Sequence, residues 1–183
     1  MYECEIKLFD IQKNEIERKL HRIWAKNLWN EIIVDVYLKA NNPKFVRGRV
    51  RYTENKTVLT YKWKLPVGKT KHAYEFDTKL PNEFFIESKS RSELVDHCRV
   101  KRRTTYTWWW YQFDIDEYIW LPPILEIEWP NETSIMTLIT SLWWQWYPNS
   151  SCGWKWVYAY FNVAYPEITS WFVWRLLSLI RCW

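Results

Sequence analysis

The sequence predicts an α+β domain: a mostly antiparallel sheet of about eight strands that curls or closes, with two or more helices beside it. Three observations lead there. Apolar residues return at every second position in segment after segment, as in half-buried strands. In two stretches the period lengthens to helical spacing. Within the strands, charged residues gather on one face and apolar residues on the other.

The chain opens on Tyr2-Glu-Cys-Glu-Ile-Lys7, where Glu3, Glu5 and Lys7 alternate with Tyr2, Cys4, Ile6 and Leu8. Asp10 to Ala25 places Ile16, Leu20 and Ile23 at helical spacing, with Asp10 or Asn14 as the cap. Ile33 to Leu38 reads as a strand, Asn41-Asn42-Pro43 as a turn, and Phe45 to Tyr52 as a strand ending in the polar turn Thr53 to Lys56. Val58 to Lys64 is its hairpin partner, and His72 to Asp77 a further strand. Pro81 to Asp96 reads as a short helix with a loop. Val100 to Thr107 and Tyr111 to Tyr118 form a hairpin, Ile124 to Glu128 a strand, and Asn131 to Leu142 a helix with Ile135, Leu138, Ile139 and Leu142 on one side. Residues 147–183 have no firm assignment. There is no internal repeat, low-complexity run or evident linker, so the 183 residues read as one domain.

Bulk properties narrow the function classes. A net charge of +5 with a pI near 8.9 permits polyanionic partners without selecting one. Cys4, Cys98, Cys152 and Cys182 form no CxxC pair and follow no secretory leader, so reduced thiols and a cytoplasmic protein are expected. His21, His72 and His97 are scattered singly, which argues against a histidine-rich metal site or a Ser-His-Asp triad. The apolar end Trp171 to Trp183 is shorter than the roughly 20 residues of a membrane span, and Arg175 and Arg181 interrupt it. Neither a GxxxxGK[ST] loop nor a GxGxxG turn is present.

The placement of charge is the informative feature. Glu3, Glu5 and Lys7 share a face, as do Arg47, Arg49 and Arg51; Lys62 and Lys64; Glu75 and Asp77; Lys101 and Arg103; Asp114 and Asp116; and Glu126 and Glu128. A solvated outer face explains any one of these strands. It explains the set less well, because surface faces usually mix in Ser, Thr and Gln, whereas here some strands carry acids and others bases. In a closed sheet these faces line a lumen, and charges there need water, metal ions or an anion, since bare buried charges cost several kcal/mol each. Clustered Asp and Glu oxygens suit Mg²⁺ or Mn²⁺. Neighbouring Arg and Lys suit phosphoryl oxygens.

The order of motifs resembles the CYTH domain, or triphosphate tunnel metalloenzymes, which include class IV adenylyl cyclases, thiamine triphosphatases and inorganic triphosphatases. The matching stretches are Glu3-Cys-Glu5-Ile-Lys7, Asp35-Val-Tyr37, Arg49-Val-Arg51, Leu59-Thr-Tyr-Lys62, an acidic strand with Glu75, Arg102-Arg103 with Tyr106, Asp116, and Glu126-Ile-Glu128. They span residues 2 to about 145. The resemblance implies an eight-stranded antiparallel β-barrel forming a tunnel with flanking helices. It implies that Glu3, Glu5, Asp116, Glu126 and Glu128 hold the metals, that Lys7, Arg49, Arg51, Lys62 and Arg103 grip the triphosphate, and that Glu5, Lys7 and Arg103 act in catalysis. Water as the attacker gives hydrolysis; a ribose 3′-hydroxyl gives a cyclic nucleotide. Hydrolysis of an inorganic, nucleoside or thiamine triphosphate is the leading expectation, ahead of cyclic AMP synthesis and of a non-catalytic polyphosphate binder. A basic nucleic-acid module ranks last, because the acids repel a phosphate backbone. The expected partner is a triphosphate-bearing small molecule, with no nucleic acid and no membrane; whether the chain forms a homodimer, as many relatives do, stands open.

One composition feature stands apart: sixteen Trp and only three Gly. The family carries glycine where this chain has Trp24, Trp129 and Trp143, and Trp108 to Trp110 occupy a hairpin turn. Such turns want positive φ, which glycine supplies and tryptophan resists. Two readings stand open: genuine tryptophan enrichment with strained turns and a sticky surface, or UGA codons translated as Trp where the source organism reads glycine.

Overall fold

The computed structural model describes residues 2–39, 46–65, 71–81, 95–151 and 154–163. The alternating segments become strands β1 (Tyr2–Leu8), β2 (Lys26–Leu38), β3 (Val46–Tyr52), β4 (Thr57–Leu65), β5 (Lys71–Leu80), β6 (Val95–Trp108), β7 (Tyr111–Tyr118) and β8 (Leu121–Glu128), with a two-residue β9 (Asn149–Ser150) beside β1. The helices are α1 (Lys13–Arg22), α2 (Glu132–Ser141) and α3 (Trp154–Tyr160).

The strands join antiparallel in the order β5-β4-β3-β2-β6-β7-β8-β1, and β1 also pairs with β5, which closes an eight-strand ring. β1 serves both closures with different halves: Tyr2 to Glu5 face Tyr74 to Lys71, while Glu5 to Leu8 face Glu128 to Leu125. Closure removes the sheet edges and separates an inner from an outer face on every strand.

The apolar core lies outside the ring. Cys4, Ile6, Leu8, Phe113, Ile115, Leu125 and Ile127 project from β1, β7 and β8 into one buried cluster with Ile16 and Leu20 of α1 and Ile135, Leu138 and Ile139 of α2. Burying a Leu or Ile side chain is worth about 1.5–3 kcal/mol, so this cluster holds the helices on that wall. α1 carries Glu15 in its first turn and Lys19, His21 and Arg22 in its last, matching the helix dipole. The side chain of Asn131 caps α2 by accepting the Ser134 N–H at 2.8 Å. Phe9, Tyr118, Leu121 and Ile124 form a further cluster with Val157 and Tyr158 of α3. The outer face of β4 and β5 lacks such cover among the described residues, and Tyr61, Trp63, Tyr74 and Phe76 are exposed there.

Several expectations change. α1 starts at Lys13 with Gln12 at the cap and no side-chain capping bond, so neither Asp10 nor Asn14 caps it. Instead Asp10 accepts the Tyr160 hydroxyl at 2.8 Å. β2 begins at Lys26 rather than Ile33; Lys26 to Asn30 are exposed on both faces and show no alternation, but they pair along β6 from Thr107 to Thr104. Ladder hydrogen bonds, not burial, extend that strand. Val95 and Asp96 belong to β6, and residues 82–94, which carry most of the proposed short helix, lie outside the described residues, as does the Asn41–Pro43 turn. The unassigned end contributes β9 and α3, and 164–183 lie outside the described residues.

The described non-glycine residues with positive φ are Asp10, Trp24, Trp109, Trp143 and Asn162. Trp24, Trp143 and the hairpin turn therefore bear out the expected backbone. Trp129 does not: its N–H bonds the Cys4 carbonyl at 3.0 Å and continues the β8–β1 ladder, which needs extended backbone, and its ring stacks on Tyr111 with centroids 4.5 Å apart.

Candidate functional site in the tunnel

The inner face of the ring encloses a cavity of about 330 Å³. Its lining follows the period of two: Glu5 and Lys7 from β1, Asp35 and Tyr37 from β2, Arg49 and Arg51 from β3, Thr60 and Lys62 from β4, Glu75 and Asp77 from β5, Lys101, Arg103 and Thr105 from β6, Asp114 from β7, and Glu126 and Glu128 from β8. Every second residue of a strand points the same way, so closing the ring turns the charged faces inward together.

One wall is acidic. Asp114 stands opposite Glu126, and Gln112 opposite Glu128, in the β7–β8 register. Carboxylate oxygens of Asp114, Glu126 and Glu128 lie within 4.8 Å of one another. Gln112 Nε2 donates to Asp114 at 3.0 Å and to Glu128 at 3.2 Å, and the Thr105 hydroxyl donates to Asp114 at 2.6 Å. Arg103 crosses this wall: its Nε and Nη2 donate to Asp116 at 2.6 and 2.7 Å, Nη2 also donates to Glu126 at 2.6 Å, and Nη1 donates to Asp114. Lys101 pairs with Asp116, and Lys7 pairs with Glu5 and with Glu126 Oε1 at 3.2 Å.

The other wall is basic. Arg51 and Asp35 form a two-bond fork, and Arg49 Nε sits 3.6 Å from Asp35 Oδ1. Arg49 Nη2 reaches Thr60 Oγ1 at 3.4 Å, while its Nε is buried with no hydrogen-bond partner. Lys62 pairs with Glu75, its cross-strand neighbour.

These neighbours set the protonation states. Burial drives the Asp35 carboxyl up, but Arg51 and Arg49 outweigh it and hold Asp35 far below the usual carboxylate range. Burial likewise opposes ionisation of Glu126, and Lys7, Lys101 and Arg103 overcome it. Burial lowers the Lys7 ammonium, yet Glu126 and Glu5 raise it well above the ordinary lysine value. Asp35, Glu126 and Lys7 therefore stay charged across the physiological range.

Of the sequence-predicted residues, Glu5, Lys7, Arg49, Arg51, Lys62, Arg103, Glu126 and Glu128 line the one cavity. Asp116 is fully buried beside it and tied to Lys101 and Arg103. Glu3 is described only by its backbone, which stands opposite Ala73. No role was expected for Asp114, Lys101, Thr105 or Asp35; the first three share strand faces with Asp116 and Arg103, and that parity is the signal that finds them, whereas Asp35 on β2 is marked only by the Asp35-Val-Tyr37 stretch.

No protein-family model and no curated protein matches the chain. Solved structures do. The PH1012 protein from Pyrococcus horikoshii is 27% identical, with a TM-score of 0.66 over 76% of this chain and 89% of that one. A Hippeastrum protein, a candidate adenylyl cyclase described as having a dominant triphosphatase activity, has a TM-score of 0.59 at 14% identity, covering 92% of this chain and 99% of its own. A candidate adenylate cyclase from Vibrio parahaemolyticus has a TM-score of 0.55 at 13% identity, covering 78% and 84%. The chain has the CYTH tunnel fold. In this CYTH tunnel the acids and bases are not mixed at random: the β7–β8 side gathers carboxylates and the β3–β4 side gathers the cations Arg49, Arg51 and Lys62. Among the described residues, no helix is long and apolar enough to cross a membrane.

Proposed function

We propose that this chain is a divalent-metal-dependent enzyme that hydrolyses a triphosphate-bearing small molecule inside the tunnel. The observation that carries the reading is the sorting of charge within one enclosed cavity, with Asp114, Glu126 and Glu128 gathered on one wall and Arg49, Arg51 and Lys62 on another.

The donor set fits a hard cation. The gathered ligands are all carboxylate oxygens, with no imidazole or thiolate among them, which suits Mg²⁺ or Mn²⁺. Asp114, Glu126 and Glu128 would hold it, with Glu5 beside Glu128 in the β1–β8 register. Held by these residues, such a cation would supply charge neutralisation at the phosphoryl oxygens and would make an attacking water more acidic.

The chain's own residues do the rest. Arg49 presents a buried Nε that lacks a hydrogen-bond partner, a donor that a phosphoryl oxygen would satisfy. Arg51 is held in place by its fork to Asp35, so its position costs little to order on binding. Lys7 and Arg103 reach in from the acidic side, where they offset carboxylate repulsion at the edge of the space a substrate phosphate would enter. Lys7, Asp35 and Arg103 are buried, which limits solvent screening of their contacts.

The dominant triphosphatase activity of the Hippeastrum neighbour supports water as the attacker. The test is phosphate release from tripolyphosphate, ATP and thiamine triphosphate with Mg²⁺ or Mn²⁺, alongside assay of cyclic AMP. Release from at least one substrate, abolished by chelation, is expected. Cyclic AMP in place of phosphate release would move the assignment to cyclisation, and triphosphate binding without turnover would make the tunnel a binding module.

A further inference from the structure

The three tryptophans with positive φ stand where a chain calls for glycine. Trp24, Trp109 and Trp143 have φ of 61°, 56° and 58°. Trp24 ends α1 and Trp143 ends α2 with one bonding pattern: the Trp24 N–H bonds the His21 carbonyl and the Ala25 N–H that of Leu20, as the Trp143 N–H bonds Thr140 and the Trp144 N–H bonds Ile139. This is the Schellman cap, whose left-handed residue is usually glycine and sometimes asparagine. α3 ends the same way and has Asn162 there, at φ 51°, with its N–H on Ala159 and the Val163 N–H on Tyr158. Trp109 is the first of two residues joining β6 to β7, where a tight hairpin also asks for positive φ. Asp10, the remaining positive-φ residue, is of a type that tolerates the conformation.

Burial does not repay tryptophan at these three sites, although Trp109 meets Trp108 edge-on with centroids 6.3 Å apart. The side chains of Trp24, Trp109 and Trp143 are 90%, 79% and 72% exposed, so burial does not offset the clash of Cβ with the backbone. Trp129 and Trp144 do pack, against Tyr111 and Phe113, but their indole N–H groups are buried with no hydrogen-bond partner. Three Gly fall far below the roughly 7% of an ordinary chain while Trp reaches sixteen, as when a single codon for glycine is read as tryptophan.

We infer that positions 24, 109 and 143 are glycine in the natural protein, encoded by UGA in an organism that reads this codon as glycine. The exposed indoles are then no docking surface, because the natural chain lacks them. The inference stands apart from the proposed enzyme activity, since none of positions 24, 109 and 143 lines the tunnel.

Two measurements decide it. The gene should carry UGA at all three positions, and peptides of the protein purified from its own source should have glycine masses there; UGG codons or tryptophan masses overturn the inference. Independently, the combined Trp24→Gly, Trp109→Gly and Trp143→Gly protein should melt higher than the tryptophan form, by about 2–4 °C per site. Alanine at the same sites should recover less, since it keeps the Cβ. A glycine protein no more stable than the tryptophan form removes the conformational ground for the claim.

Discussion

Asp114 and Glu126 stand directly opposite each other across the β7–β8 ladder, and Arg103 donates to both carboxylates. The arginine thus occupies the centre of an acidic wall that would otherwise repel itself. Arg103→Ala should destabilise the fold by roughly 3–5 kcal/mol, because it leaves several buried carboxylates uncompensated. Millimolar Mg²⁺ should restore much of the loss by screening the same oxygens. Thermal melts with and without the metal check this, and an equal loss in both conditions contradicts it.

Metal linkage offers a separate readout. The native chain should gain thermal stability from Mg²⁺ or Mn²⁺ in proportion to saturation. Asp114→Asn, Glu126→Gln and Glu128→Gln should each weaken that gain and lower turnover, whereas Glu117→Gln, whose side chain pairs with Lys13, should leave the gain intact. Titration calorimetry with the metal alone tests the first half without any substrate.

On the basic wall, Arg49→Ala should reduce turnover by roughly 10²-fold, the scale for loss of one preorganised donor in an enclosed site. Arg49→Lys should recover only part of it, because an ammonium cannot reproduce the guanidinium fork. Steady-state kinetics on tripolyphosphate separate kcat from KM for the two variants.

The Asp35–Arg51 fork predicts a pH signature. Asp35 is depressed in the folded state relative to an unfolded value near 3.9. Its contribution is therefore complete above that unfolded value and is lost as pH falls toward the lower folded one. Urea melts should show stability falling with acid below about pH 4–5 in the native chain. In Asp35→Asn the same slope should be shallower, on a lower overall stability.

Burial, with Asp35 nearby, pushes the Cys98 thiol up to about 12. It should resist thiol reagents at pH 8 in the folded protein and react once urea unfolds the chain. Peptide mapping after labelling distinguishes Cys98 from the other cysteines.

How much of this was legible beforehand can be followed residue by residue. Glu5 and Lys7, Arg49 and Arg51, and Glu126 and Glu128 announced themselves by parity, and all six line the cavity. Asp114 and Asp116 show the limit. They share one face of β7, yet the register sets Asp114 against Glu126 and Asp116 against Ile124. Which aspartate joins the glutamates is a property of the pairing, absent from either strand alone. The first half of β2 was invisible for a related reason: Lys26 to Asn30 are solvated on both sides, and only their partners on β6 make them a strand.

Strand alternation and the two amphipathic helices are local, since side-chain direction depends on a residue and its near neighbours, and they could be read from the chain; the glycine positions came from the family resemblance, and at Trp129 the bond to Cys4 across the β8–β1 ladder decides otherwise. Closure was not local. That β1 reaches both β5 and β8, and so turns seven charged faces into one tunnel, rests on hydrogen bonds between segments far apart in sequence. Those bonds and the ladder registers they impose place Arg103 among the acids and Arg51 against Asp35, because a shift of one residue would send every one of these side chains to the opposite face.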